Sequence, residues 1–227
     1  MIRKEKFKGI QQAMRSGTHL VSGGINPEGL PFFEAMIGYY FSPESKGFVL
    51  FYHSGVVDMV GGFDTIVNAA NKECLGGGGV DGVISDWGGE SLLLARQSLP
   101  VDDKGYRCLP GNSVVTVPGD FPTVKRIIHA VAPNFQEYEN EEEALEILGK
   151  TYDSIFEKGR TEGSVSYGIP ALAAGFYRGS CPLKKILETG VRKLMQEAGS
   201  TGSIKIDFCV YTQEEADVLK EILEEMK

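Results

Sequence analysis

The chain has 227 residues, with 23 Lys plus Arg against 31 Asp plus Glu and a formal net charge of −8. Its 42 % hydrophobic content excludes a disordered chain, and no apolar run reaches the roughly 18 residues of a membrane helix. The acidic balance argues against general nucleic-acid binding, since phosphate contacts need clustered cations.

The length suits one large domain, or one domain with an extension. The first residues, MIRKEKFKGI, hold no apolar leader. A cytoplasmic location is expected, with the nucleus as the alternative, and no membrane partner. Cys74, Cys108, Cys181 and Cys209 form no CxxC pair, and His19, His53 and His129 are scattered. Reduced thiols, no local metal site and no cofactor are therefore expected.

Residues 1–45 read as an N-terminal extension that packs on a main domain of residues 46–227. The extension opens with Lys4, Lys6 and Lys8, carries turn chemistry at 22–24 and 26–29, and has a weakly helical patch from Phe32 to Tyr39. Strands are expected at 47–53 and 64–67, then a helix over 80–98 interrupted by Gly88-Gly89. Strands follow at 113–117 and 124–131. An amphipathic helix over 141–158 places Leu145, Leu148, Tyr152 and Ile155 on one face, with an acidic start that suits the helix dipole. A strand at 164–170, a helix at 181–198 and a strand at 203–211 lead to a last helix, which opens with a capping box at Thr212 and Glu215. Strands and helices alternate, so the fold class is α/β with helices on both faces of a sheet.

Glycine is the compositional outlier, with 29 in 227 residues, about 13 % against a usual ~7 %. Its densest run is DTIVNAANKECLGGGGVDG, residues 64–82. It reads as a buried strand, a polar turn, four glycines and a helix start. Glycines there let a ligand approach the main chain, and N–H groups at the helix start make an anion site without lysine. On the residues alone, a phosphate loop and a purely structural loop both remain open. The run is neither GxGxxG nor a Walker A loop. Asn71 and Asp81 flank the glycines. They either satisfy the turn and the helix N-terminus, or present an amide and a carboxylate to one ligand.

The run Asn68-Ala69-Ala70-Asn71, four residues, then Gly76-Gly77-Gly78-Gly79-Val80-Asp81-Gly82 resembles the signature of the macro domain family, whose members bind ADP-ribose. Residues 109–133, 169–182 and 205–224 resemble further family segments in the same order. The likeness covers about residues 47–227. It implies a three-layer α/β/α macro domain with a central mixed sheet.

The resemblance also implies roles. It puts Asn71 on the distal ribose and makes Asp81 the group that binds or orients the attacking water. Asn68, Ala70 and Gly76, Gly77, Gly78, Gly79 and Val80 would lie along the ligand. Ala173, Ala174, Gly175, Phe176 and Tyr177 would form a second phosphate loop, with Tyr177 against the distal ribose. Val57 and Asp58 stand nearest the family's adenine-contacting carboxylate, which is either displaced to Asp58 or absent here. Ala173-Ala174 replaces a usual Ser-Thr, and Arg178 a common Gly. The implied activity is hydrolysis of ADP-ribosyl esters, on protein Asp or Glu or in O-acetyl-ADP-ribose. The alternatives are a non-catalytic ADP-ribose reader and a phosphatase of ADP-ribose 1″-phosphate. The implied partner is ADP-ribose or an ADP-ribosylated protein. Trp87 reads as core or rim packing, and His129 as a core histidine satisfied by a neighbour.

Overall fold

The computed structural model describes residues 20–22 and 35–226. The early lysines and the turns at 23–24 and 26–29 lie outside the described residues. The strands are β1 (Leu20–Ser22), β2 (Met36–Phe41), β3 (Phe48–His53), β4 (Thr65–Ala69), β5 (Asn112–Thr116), β6 (Arg126–Val131), β7 (Ser166–Pro170) and β8 (Lys205–Val210). The α-helices among the described residues are α1 (Val80–Gln97), α2 (Glu141–Thr161), α3 (Leu183–Ser200) and α4 (Gln213–Glu225).

The strands form one mixed sheet in the order β1-β2-β3-β8-β7-β4-β6-β5. The central five, β3, β8, β7, β4 and β6, run parallel. β1, β2 and β3 pair antiparallel at one edge, and β5 pairs antiparallel with β6 at the other.

Side chains alternate across a strand, so each central strand feeds two cores. Val49 and Phe51 of β3, Val67 of β4, Ile128 of β6 and Phe208 of β8 face α2, α3 and α4. Leu50, Tyr52, Ile66, Ile127 and Cys209 face α1 and the loop residues Phe63 and Phe121. The helices answer with stripes at helical spacing. Leu148, Tyr152 and Ile155 of α2, and Ile186, Leu187, Val191 and Leu194 of α3, are buried. Each such aliphatic side chain contributes about 1.5–3 kcal/mol. The result is the three-layer α/β/α architecture. The capping box of α4 forms as expected: Thr212 accepts from the Glu215 amide, and Glu215 accepts from the Thr212 amide.

One departure from the sequence reading has a physical cause. The helical patch expected to end at Tyr39 is instead strand β2, whose aromatic-rich sequence MIGYYF pairs with β3. A register shift between Met36 and Gly38 helps four consecutive residues, Met36 to Tyr39, become buried. A sheet partner outweighs a weak helical spacing. The described part of residues 1–45 thus extends the sheet. The helix over 80–97 is broken at Gly89, within the Gly88-Gly89 pair expected to interrupt it; Gly89 adopts φ 62° and ψ −161°. No helix among the described residues is long and apolar enough to cross a membrane.

That break is specific to glycine. A side chain at this φ and ψ costs on the order of 1–3 kcal/mol, and a Cβ on Gly89 would collide with the Asp120 carboxylate. Gly89→Ala is expected to lower the melting temperature by several degrees, at about 2–4 °C per kcal/mol for this size. Equal melting temperatures in calorimetry would contradict the account of the break.

Candidate functional site

Five parallel strands end at one edge of the sheet, and the loops that leave them meet there. Ligands of open α/β sheets bind outside the carboxyl ends of the strands. The loops after β4, β6 and β7 enclose a cavity of about 440 Å³. Its walls include Ala70, Asn71, Gly77 to Asp81, Ala132 and Ala173 to Tyr177. A second cavity of about 370 Å³ adjoins it across Gly79, Val80 and Ala171. Ser54 to Asp58 after β3 and Tyr211 after β8 line that second cavity. Together they form an elongated cleft.

The glycine loop carries backbone donors into this cleft. Gly79 is the N-cap of α1, with φ 59°, and no side chain caps the helix. The first amides of α1 are therefore open to an anion, at the positive end of the helix dipole. A Cβ added at Gly78 or Gly175 would meet no protein atom within 4 Å. Protein crowding does not require glycine at these two positions, and both line the cavity. Asn71 braces the loop. Its Nδ2 donates to the Gly76 carbonyl at 3.0 Å, and its Oδ1 accepts from the Cys74 amide at 3.0 Å. Opposite, Gln136 Nε2 donates to the Phe176 carbonyl at 3.0 Å and ties down the second loop. Phe176 is 80 % exposed at the lip. Burial raises the Tyr177 phenol above its ordinary pKa, so it remains a neutral donor at pH 7.

Asp81 lies in the first turn of α1 at 2 % exposure. Its Oδ1 accepts from Asn68 Nδ2 at 2.8 Å and from Arg96 Nη2 at 3.0 Å. Arg96 is 1 % exposed. Its Nη1 donates to Ser85 Oγ at 2.8 Å, and Ser85 Oγ donates to the Asp81 carbonyl at 2.7 Å. Beneath, Asn68 also donates to His129 Nδ1 at 3.0 Å. His129 Nε2 therefore carries the ring proton and donates to Thr116 Oγ1 at 2.8 Å. Burial, then the nearby Arg96 charge, lowers the His129 pKa to about 3. The histidine is a neutral core residue and no base.

Two of the expected ligand residues lie off the cleft. Asn68 is fully buried, and it supports Asp81 from below instead of lining the cleft. Gly76 lines neither cavity, and its carbonyl accepts from Asn71. The other expected residues line the cleft, with Val57 and Asp58 in the second cavity. Arg96, Ser85 and Tyr211 were not singled out from the sequence. Tyr211 has a readable signal, since it is the first residue beyond a parallel strand. Arg96 sits in a helix otherwise read as ordinary. Trp87 is rim packing, stacked on Phe121 with ring centroids 5.7 Å apart. Arg178 pairs with Glu214 at 3.7 Å. All four cysteines are buried. Among the described residues no group of three or more His, Cys, Asp or Glu is placed to hold a metal ion.

A family model described as Macro domain matches residues 67–189. The O-acetyl-ADP-ribose deacetylase of Enterobacter sp. (strain 638) is 40 % identical over 114 residues, which is 50 % of this chain and 61 % of that protein. The protein of the same name from Klebsiella pneumoniae (strain 342) is 35 % identical over 129 residues, 57 % of this chain and 70 % of that protein. The chain spans about three fifths of the length of the first of these relatives. Among solved structures, the Oceanobacillus iheyensis macrodomain with MES bound aligns with a TM-score of 0.72 at 22 % identity, covering 83 % of this chain and 96 % of that one. The Trypanosoma brucei macrodomain in complex with ADP-ribose aligns with a TM-score of 0.60 at 27 % identity, covering 76 % and 68 %.

The neutral histidine has a measurable consequence. Unfolded His129 takes a proton near pH 6.5 and the folded one near 3, so stability is lost as pH falls through that window. In nitrogen-resolved NMR, the His129 ring is expected to keep the neutral Nε2–H pattern from about pH 8 to about pH 5. A protonation midpoint inside that range would contradict the buried network.

Proposed function

The chain belongs to the macro domain family, and from that membership we propose that it binds ADP-ribose and hydrolyses an ester on the distal ribose. The substrate is O-acetyl-ADP-ribose or an ADP-ribosyl ester of a protein Asp or Glu. Residues 46–227 form the macro domain in this reading, and residues 1–45 its extension. The observation that carries the proposal is Asp81: a buried carboxylate on the wall of a glycine-lined cleft, with Oδ2 free of hydrogen bonds among the described residues.

The diphosphate lies between the two loops, held by the amides of residues 77–81 and 173–175. The adenine end occupies the second cavity, with Tyr211, 75 % exposed, against the base and Asp58 beside it. The distal ribose reaches Asn71, whose Nδ2 keeps a second hydrogen for the ligand. Asp81 Oδ2 orients a water and accepts its proton as the water attacks. For the acetyl ester, the attack falls on the carbonyl carbon and releases ADP-ribose and acetate. For a protein ester, it falls at C1″ and releases ADP-ribose and a free carboxylate. General-base assistance of this kind contributes about 10²- to 10⁴-fold. The relatives named O-acetyl-ADP-ribose deacetylase support the ester chemistry. The Trypanosoma brucei complex with ADP-ribose supports the ligand.

One observation favours a second reading, a reader without turnover. The second loop presents Ala173 and Ala174, buried and without hydroxyls, where the phosphates would lie. Calorimetry with ADP-ribose, combined with an assay of ADP-ribose release from both esters, separates the two.

Asp81→Asn keeps an oxygen for Asn68 and Arg96 and removes the base. It is expected to slow release by at least about 100-fold while ADP-ribose still binds. Release at the wild-type rate would refute the role of Asp81. Gly78→Val places a branched side chain in the cavity, and its Cβ meets no protein atom within 4 Å. It is expected to weaken ADP-ribose binding at least ~10-fold, since backbone approach is lost, with the melting temperature unchanged. Unaltered binding would remove the glycine loop from the ligand site.

A further inference from the structure

A base that orients water needs one oxygen aimed at the cleft and held there. In Asp81 both side-chain hydrogen bonds, from Asn68 and Arg96, fall on Oδ1. Oδ2 stands on the Gly77 side, where a Cβ added to Gly77 would come within 3.1 Å of it. The division follows from how Arg96 uses its guanidinium. Arginine meets a carboxylate most often as a fork, with two parallel bonds to both oxygens. Here the fork is split: Nη2 goes to Asp81 Oδ1 and Nη1 to Ser85 Oγ. A fork on both oxygens would occupy Oδ2.

The chain bends to make this contact. Arg96 lies 15 residues after Asp81. Along a straight helix that separation is about 22 Å, beyond the joint reach of the two side chains. The break at Gly89 folds the second half of α1 back beneath the first. From the other side, Asn68 holds the same Oδ1, fixed in turn by neutral His129 and Thr116.

We infer that Arg96 is a positioning residue for the hydrolysis: it clamps Asp81 by Oδ1, with Ser85 as its second anchor, and so keeps Oδ2 turned to the water. The inference rests on the reading of Asp81 given above. Arg96 lies beneath Asp81, lines neither cavity and acts only through it.

The test is steady-state hydrolysis of O-acetyl-ADP-ribose, with ADP-ribose affinity measured in parallel by calorimetry. Arg96→Gln is expected to lower kcat at least ~10-fold, with KM and ADP-ribose affinity within about 3-fold of wild type. Arg96→Lys, which keeps the charge on one donor, is expected to recover part of the loss. On an Asp81→Asn background, Arg96→Gln is expected to cost nothing further, because the two changes remove one function. Unchanged kcat in Arg96→Gln overturns the inference. So does an equal loss on the Asp81→Asn background, which would mark a merely structural role. If Arg96→Gln fails to fold, Ser85→Ala serves instead, with an expected kcat loss of about 2- to 5-fold at constant affinity; unchanged kcat then overturns the inference. Wild-type protein that binds ADP-ribose without turnover overturns the hydrolase reading and this inference with it. Active wild type with fully active variants overturns this inference alone.

Discussion

A carboxylate at 2 % exposure is costly to bury unless charge and hydrogen bonds match it. Asp81 obtains both from Arg96 and Asn68, and much of the architecture around the cleft serves that match. The broken helix α1 returns Arg96. The central strands β4 and β6, paired in register at Asn68 and His129, supply the support from below. The antiparallel edge strand β5 supplies Thr116 at the end of the line. Removing one partner of such a buried pair costs on the order of 3–5 kcal/mol. The same groups thus couple the stability of the central sheet to the orientation of the carboxylate.

The charge of the molecule sharpens the role of the backbone. A chain at −8 repels an anionic nucleotide as a whole. Lys72 stands near the cleft, but Glu137 pairs with it at 3.4 Å. In the proposed complex, attraction for the diphosphate therefore falls to fixed main-chain dipoles: the uncapped start of α1 and the amides of the second loop. The glycine excess and the acidic charge are two sides of one arrangement. Glycine lets the donors come close.

Much of this was legible in the sequence, because the relevant signals are local. Period-two and period-3.6 patterns placed the central strands and α2 to α4, and the capping box marked the start of α4. The glycine run and its flanking Asn71 and Asp81 located the cleft. The misreadings fall where the deciding contact is remote. Nothing local distinguishes β2 from a weak helix until β3 lies beside it. Asn68 and Asn71 belong to one short motif, yet only the alternation of β4 and the register with β6 sends Asn68 inward to His129. Arg96 became readable only with the angle at Gly89. The Gly88-Gly89 pair marked an interruption, but the direction of the turn depends on Asp120, whose amide bonds the Gly88 carbonyl at 3.0 Å.

The most direct measurement is a crystal structure of the protein with ADP-ribose. The expected result has the diphosphate between the amides of residues 77–81 and 173–175, the adenine beside Tyr211, and the distal ribose C1″ facing Asp81 Oδ2 across one water. A diphosphate seated away from both loops, or a distal ribose pointing out of the cleft with Asp81 Oδ2 turned from it, would contradict the central claim.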